Sequence, residues 1–256
     1  MSSYGMWLAA SGMQWNEHRQ AVLANNLANA NTTGFKHDLA IASQRRVESQ
    51  SSPEGLEFLH PVFDGMSGGL QVKRSYLDFQ QGAIMETGRS LDVAIDGDGF
   101  FAVSNGDDIR YTRNGAFAMN TDGELMLSAD EGRWRVLSTD GEPIRLDRQS
   151  IEKIRVSPDG TVRQGTNTVA RIGLMTTDDK QSLRKVGKTL FDAGKMEMKP
   201  AFGRVVGGAL EASNFDPMLG LASMIEASRA YQFNATMVQM HDNITGQAIS
   251  RIARVA

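Results

Sequence analysis

Residues Gly65 to Gly69 read GMSGG and match G-x-S-x-G, the pattern that seats a nucleophilic serine on a strand-to-helix turn in hydrolases. That chemistry needs a buried strand before the serine and a helix after it. Here LQVKRSYLDF follows with the alternation of a strand, so Ser67 reads as part of a loop. GKT at Gly187 to Thr189 has the ending of a phosphate loop, but the first glycine of such a loop would fall on Ser182, and a turn between strands fits better. Gly97 and Gly99 supply G-x-G without the third glycine of a dinucleotide site, and read as part of a hairpin. His18, His37, His60 and His241 have no metal-ligand spacing. The recurring Asp-Gly pairs fit neither the D-x-D-x-D-G calcium loop nor a nonapeptide glycine repeat, and turn chemistry accounts for them. No catalytic residue, cofactor-binding residue or metal ligand is assigned; the chain is not expected to be an enzyme, and no cofactor is expected.

Composition narrows the partners. With 27 basic and 30 acidic residues the formal net charge is −3, and neither sign forms a long run, so neither a nucleic-acid partner nor a polybasic membrane anchor is expected. No window approaches 18 consecutive apolar residues, so no membrane insertion is expected. The absence of cysteine rules out disulfides and thiolate metal sites. The N-terminal residues MSSYGMWLAASGMQWNEHR lack the cationic start and unbroken apolar run of a secretory signal peptide, so any export is expected to take another route.

Three zones differ in period. From Gly5 to about Ala30, positions Ala9, Met13, Asn16, Gln20, Leu23, Leu27 and Ala30 follow a 4-3 spacing that predicts a helix with a coiled-coil-like seam. From about Asp216 to Ile252, positions Leu221, Met224, Ser228, Tyr231, Ala235, Val238, Asp242, Thr245, Ile249 and Ile252 predict a longer helix, started by Asn214 or Asp216 as cap with Pro217 behind it. A second stripe, Phe233, Met237, Met240, Ile244 and Ala248, lies roughly 180 to 260° around from Tyr231, so this helix needs partners on two sides. Flexible thioethers suit an adaptable interface, which is the reading taken for Met237 and Met240.

Between the helices the period is two. The turns DGDG (Asp96 to Gly99), TDGE (at Thr121 and Thr139) and PDGT (at Pro158) punctuate strand candidates LDVAI, FFAV, IRYT, ELML, WRVL and VARIGLM. Ser49 to Gly69, rich in Ser, Gly and Pro, reads as a loop or extended linker. The expected fold is α+β: residues 1–40 plus 215–256 form a discontinuous, coiled-coil-like assembly domain of paired terminal helices, 41–75 a linker, and 76–214 a central all-β domain. Ordering roughly 65 terminal residues costs on the order of 1 to 2 kcal/mol each. The termini are therefore expected to be largely disordered in the monomer and helical on assembly.

Three blocks carry a family resemblance: WLAASGM with ANNLANANTTGFK near the start, TGRSLDVAIDGDGFFAV with YTRNGAF in the middle, and GALEASNFDP continuing through MIEASRAYQFN near the end. Their order and content resemble the axial rod and hook proteins of the bacterial flagellum, specifically the basal-body rod proteins. The resemblance implies a structural subunit of a periplasmic rod that transmits motor torque for motility. It also implies partners in copies of itself and other rod subunits, and export by the flagellar type III apparatus without a cleaved signal peptide. Both proximal-rod and distal-rod subunits carry these blocks; the chain length and the short 49–69 linker favour the proximal rod, while Gln232 and Phe233 after Tyr231, and the ending RIARVA, depart from the family pattern. The alternative, a secreted β-rich enzyme or carbohydrate-binding module with oligomerising helices, needs a cleft of converging polar groups that the sequence does not display.

Assembly contacts are expected from Met13, Leu23, Asn25, Asn26, Leu27, Asn29 and Phe35 near the first helix, and from Leu221, Met224, Tyr231, Phe233, Met237, Val238, Met240 and Ile244 on the second. Asn25 and Asn29 lie about 160 to 200° from Leu27, where amides that donate and accept would fix the register between subunits. Asn31 to Gly34 read as the helix exit, and Phe35 as an anchor for the departing strand.

Overall fold

A computed structural model of the chain describes residues 2–45, 67–129, 133–148 and 154–255. The fold is α+β, with terminal helices α1 (Ser2–Ala28) and α2 (Pro217–Val255) on either side, in sequence, of a run of strands. The chain forms two compact units: a helical one from Met1–Leu27, Asp38–Tyr76 and Asp216–Ala256, and a β one from Ala28–His37 and Leu77–Phe215.

In the helical unit, Asp216 caps α2: its Oδ1 accepts from the backbone N–H of Met218 at 2.8 Å and of Leu219 at 3.3 Å, and Pro217 sits where a missing N–H does no harm. Part of the expected linker is strand, because Asp38–Gln44 pairs with Leu70–Leu77. Most residues of Leu70–Leu77 are exposed, so core burial does not hold this ribbon. Backbone bonds do, with Arg45 N–H donating to Gly69 O at 2.8 Å and Gly68 N–H to Arg45 O at 3.0 Å. Side chains of α1 add to them: Tyr4 Oη donates to Ser67 O and accepts from Ser67 N–H, both at 2.8 Å, and Trp7 Nε1 donates to Gly68 O at 3.1 Å. Most of the Ser49 to Gly69 stretch, residues 49–66, lies outside the described residues.

The β unit is organised by the strand Phe100–Ser104. It pairs antiparallel with Ile109–Thr112, Arg135–Val136 and Leu174–Thr176 inside the largest sheet. Its alternate residues feed two apolar clusters: Phe101 and Val103 join Val93, Ile95, Phe117, Leu127 and Val136, while Phe100 and Ala102 pack with Tyr111, Leu183 and Phe191. Burial on both faces explains why FFAV is a continuous apolar run. The Asp-Gly turn at Asp122-Gly123 closes the hairpin of Phe117–Met119 with Leu125–Leu127, and that at Asp159-Gly160 the hairpin of Ile154–Val156 with Thr161–Gln164. Gly123 and Gly160 take φ of 81° and 84°, where a side chain would be strained.

Two expectations need correction. DGDG does not close a hairpin: Val93–Asp96 pairs with Arg204–Gly207, whereas Phe100–Ser104 pairs elsewhere, so Gly97 and Gly99 carry the chain between sheets. VARIGLM is two strands, Asn167–Arg171 and Leu174–Thr176. The break comes at Gly173, where a Cβ would stand 2.7 Å from Ser138 O. The turn reading of GKT agrees with the structure, since Val186 pairs with Leu190 around Gly187 at φ 73°.

Candidate functional site

The two terminal helices meet antiparallel through small residues. A Cβ on Gly5 would lie 2.7 Å from the His241 ring, a Cβ on Gly12 2.8 Å from Asn234 Nδ2, and Arg19 Nη2 stands 3.6 Å from Glu226 Oε2. Each advance of seven residues on α1 thus matches a retreat of about seven on α2. Buried Ala9, Asn16 and Ala227 complete the seam. The expected seam of α2 ran through Leu221, Met224, Ser228, Tyr231, Ala235, Val238 and Asp242; Asn234 and His241, which meet the α1 glycines, stand one residue before Ala235 and Asp242, and buried Ala227 one before Ser228.

That choice leaves the larger apolar side chains of α2 to one side. Phe233 is 67% exposed, Met240 52% and Ile244 58%, with Leu221 also exposed. Met224, Tyr231, Met237 and Val238 are half-buried, as are Met13, Leu23 and Leu27 on α1.

The asparagines divide. Asn25 is exposed on α1. Asn26 is buried, and its amide closes a two-bond ring with Asp38: Nδ2 donates to Asp38 O at 2.8 Å and Oδ1 accepts Asp38 N–H at 3.0 Å. Asn29 lies beyond the helix, which ends at Ala28; it is buried in the exit turn, where its carbonyl accepts Thr32 N–H at 3.0 Å and its Oδ1 accepts from Thr32 Oγ1 at 3.3 Å. Phe35 is 1% exposed, with Lys185 Nζ 3.9 Å above its ring. Asn26, Asn29 and Phe35, expected at the assembly surface, are instead buried within the chain, where the amides of Asn26 and Asn29 bond to neighbouring segments.

A charged cluster sits within the β unit. Glu211 ends the strand Ala209–Glu211 and is 1% exposed. Its Oε1 accepts from Lys36 Nζ at 2.5 Å and Gly82 N–H at 2.9 Å, and its Oε2 from Arg113 Nη1 at 3.2 Å. Lys36, itself fully buried, also donates to Gln80 O at 2.6 Å; Arg113 Nη2 donates to Gly97 O at 2.8 Å. Burial pushes the Lys36 ammonium below its ordinary value, against the opposing pull of Glu211, with Arg113 adding to the depression. Around this core Gly34 N–H donates to Glu211 O at 2.8 Å, Thr33 Oγ1 to Asn114 Oδ1 at 2.8 Å, and Asn214 Nδ2 to Asp78 O at 2.8 Å. Gly34 has φ 66°, and a Cβ there would overlap the Asn114 backbone N at 2.3 Å. The cluster ties the segment that follows α1 to the segment that precedes α2.

These charges serve cohesion, not turnover, since every polar atom named is spent on another part of the chain. Among the described residues no three His, Asp or Glu side chains group closely enough to hold a metal ion, and no helix is long and apolar enough to cross a membrane.

Comparison with known proteins assigns the arrangement. Residues 6–36 match the family described as flagella basal body rod protein, 94–164 the flagellar hook protein FlgE/F/G D1 domain, and 206–251 the flagellar basal body rod FlgEFG protein C-terminal family. Lys36, Arg113 and Glu211 fall one in each matched segment. The chain is 35% identical over 237 residues, 91% of both chains, to flagellar basal-body rod protein FlgF of Caulobacter vibrioides. The chain belongs to the flagellar basal-body rod protein family. It is also 30% identical to FlgG of Borreliella burgdorferi over 95% of this chain and 96% of that one. The same identity holds with FlgF of Mesorhizobium japonicum, over 96% and 97%. As a rod-family protein it is a structural component of the flagellar basal body, not an enzyme, and assembles with other basal-body components.

The sequence reading missed the ion cluster, although its members stand in the blocks that carry the family resemblance: Lys36 in TTGFK, Arg113 in YTRNG and Glu211 in GALEAS. Charged residues inside otherwise apolar or turn-forming blocks were the available signal.

Proposed function

We propose that this rod-family protein is a structural subunit of the periplasmic drive shaft, self-assembling with its own copies and other rod subunits to transmit motor torque. The exposed row Phe233, Met240 and Ile244, beside a helix pair that the glycines of α1 bring close, carries this reading. Half-buried Met13, Leu23, Leu27, Met224, Tyr231, Met237 and Val238, with exposed Asn25, form the margin of the same contact. Torque is then shared among many interlocked helices, and Glu211, Lys36 and Arg113 resist separation of the segment that follows α1 from the segment that precedes α2.

Delivery is by the flagellar type III export apparatus without a cleaved signal peptide, and the position is the proximal rod. Chain length and the short 49–69 stretch support the proximal assignment; the family resemblance supports the export route. Among the described residues the helix pair buries only small or amide side chains (Ala9, Ser11, Asn16, Asn26, Gly220 and Ala227), so neighbours supply most of its apolar cover and the termini become fully helical on assembly. Circular dichroism of the dilute monomer tests this last point: complete helicity there contradicts it. Deleting the gene is expected to abolish motility and leave basal bodies with an incomplete rod, and crosslinking in isolated basal bodies to recover proximal-rod neighbours. Normal swimming refutes the rod reading; neighbours confined to the distal rod refute the proximal one.

A further inference from the structure

Phe202 is 98% exposed, the most exposed of the large apolar side chains described. Its neighbours explain why it cannot turn inward. Ala201 N–H donates to Leu174 O at 2.9 Å, and Gly203 is pressed so closely on Asp98 O that a Cβ would fall 2.4 Å away. Arg204 then enters the ladder opposite Asp96. With the backbone held on both sides, the phenyl ring is projected into solvent, forgoing about 1.5–3 kcal/mol of burial.

The same unit carries a matching recess. An open cavity of about 180 Å³ lies on the large sheet, lined by Ile109, Tyr111, Leu137, Leu174 and Met175, with Pro200 among its walls. An apolar cavity of about 150 Å³ accommodates benzene, so this one has the volume for a phenyl ring. Ile109 on the cavity wall is itself 51% exposed, which enlarges the apolar target. Tyr111, Leu137 and Leu174 are buried, so the recess is preformed.

We propose that Phe202 of one copy seats in the Ile109–Tyr111–Leu174 recess of a neighbouring copy, giving the β units a direct contact in addition to the helical one. The inference rests on the rod reading, which supplies the close packing of copies. The occupant is a second copy because the protruding ring and the recess that fits it occur on one chain.

The chain has no cysteine, which permits a clean test. Two differently tagged full-length variants, Phe202→Cys and Ile109→Cys, are expressed together in a motile strain, and isolated basal bodies are oxidised. The expected product is a mixed disulfide at about tenfold or more the yield of a control pair combining Phe202→Cys with Asp122→Cys on an exposed turn, because only thiols that face each other across a subunit contact gain a raised effective concentration in the assembled rod. Both chains present in basal bodies with no excess over the control overturns the contact and leaves the rod reading standing. Bonding of Phe202→Cys to a different rod protein overturns the choice of occupant. Absence of both chains from basal bodies overturns the rod reading and this inference with it.

Discussion

Replacing Glu211 with Gln changes one atom and removes the only acidic member of the buried cluster. Lys36 Nζ at 2.5 Å and Arg113 Nη1 at 3.2 Å both depend on that carboxylate, and none of the three side chains is more than 4% exposed. Glutamine keeps the shape and one acceptor for Gly82 N–H, but turns an amide donor towards one of the two cations. Leaving buried charge without its counter-ion costs about 3–5 kcal/mol, a large part of the 5–15 kcal/mol that holds a typical domain. At about 2–4 °C per kcal/mol for a unit of this size, the β-unit transition should fall by roughly 6–20 °C. Thermal circular dichroism of the full chain in the β region measures it. Lys36→Met is the companion variant: it leaves Arg113 and Gly82 on Glu211 and removes a cation that burial already disfavours, so it should lose less than half as much. A loss below about 1 kcal/mol for Glu211→Gln, or a larger loss for Lys36→Met, would refute the reasoning.

Gly34→Ala should lower the same transition by about 2 kcal/mol or more, since φ 66° strains any side chain and the new Cβ meets the Asn114 backbone, which cannot swing aside; a thermal melt reads the loss. Gly12→Leu should splay α1 from α2 at Asn234, reducing incorporation into basal bodies while the β-unit melt stays within about 0.5 kcal/mol of wild type. Asp192 is held below the usual carboxylate range first by the Gly194 N–H at 2.9 Å, against the effect of burial, and then by Arg184 and Arg110. Its contribution is therefore complete above the unfolded value of 3.8 and lost as pH falls through its lower native pKa. Asp192→Asn should shift the urea midpoint downward at pH 6 and leave it nearly unchanged at pH 2.

The order helix, β, helix was legible because the period switches from 3.5 to 2 and back, and the Asp-Gly turns at 122–123 and 159–160 because their glycines need positive φ. Pairing was less legible. DGDG carries the same local chemistry as a hairpin turn, and only the long-range partner Arg204–Gly207 shows that it joins two sheets. An apolar pattern marks what must be covered, not which neighbour covers it; Gly5 and Gly12 carried the internal contact with no hydrophobic signal, so their partners His241 and Asn234 lie one residue before the expected Asp242 and Ala235. For the same reason ANNLANANTTGFK read as one polar surface, although its amides divide among an exposed helix face, a bond pair with Asp38 and the exit turn. Glu211, Lys36 and Arg113 stand 77 to 175 residues apart, a distance that no local pattern spans.

The central claim is that the exposed row on α2 builds this subunit into the rod. A strain lacking the native copy, supplied with a tagged chain carrying Phe233→Asp and Met240→Asp, tests it by quantifying that chain in purified basal bodies. Both positions are more than half exposed, so the folded chain should tolerate the carboxylates. The account predicts a normal β-unit melt with the variant nearly absent from basal bodies and motility lost. Incorporation at the wild-type level with full swimming would contradict it.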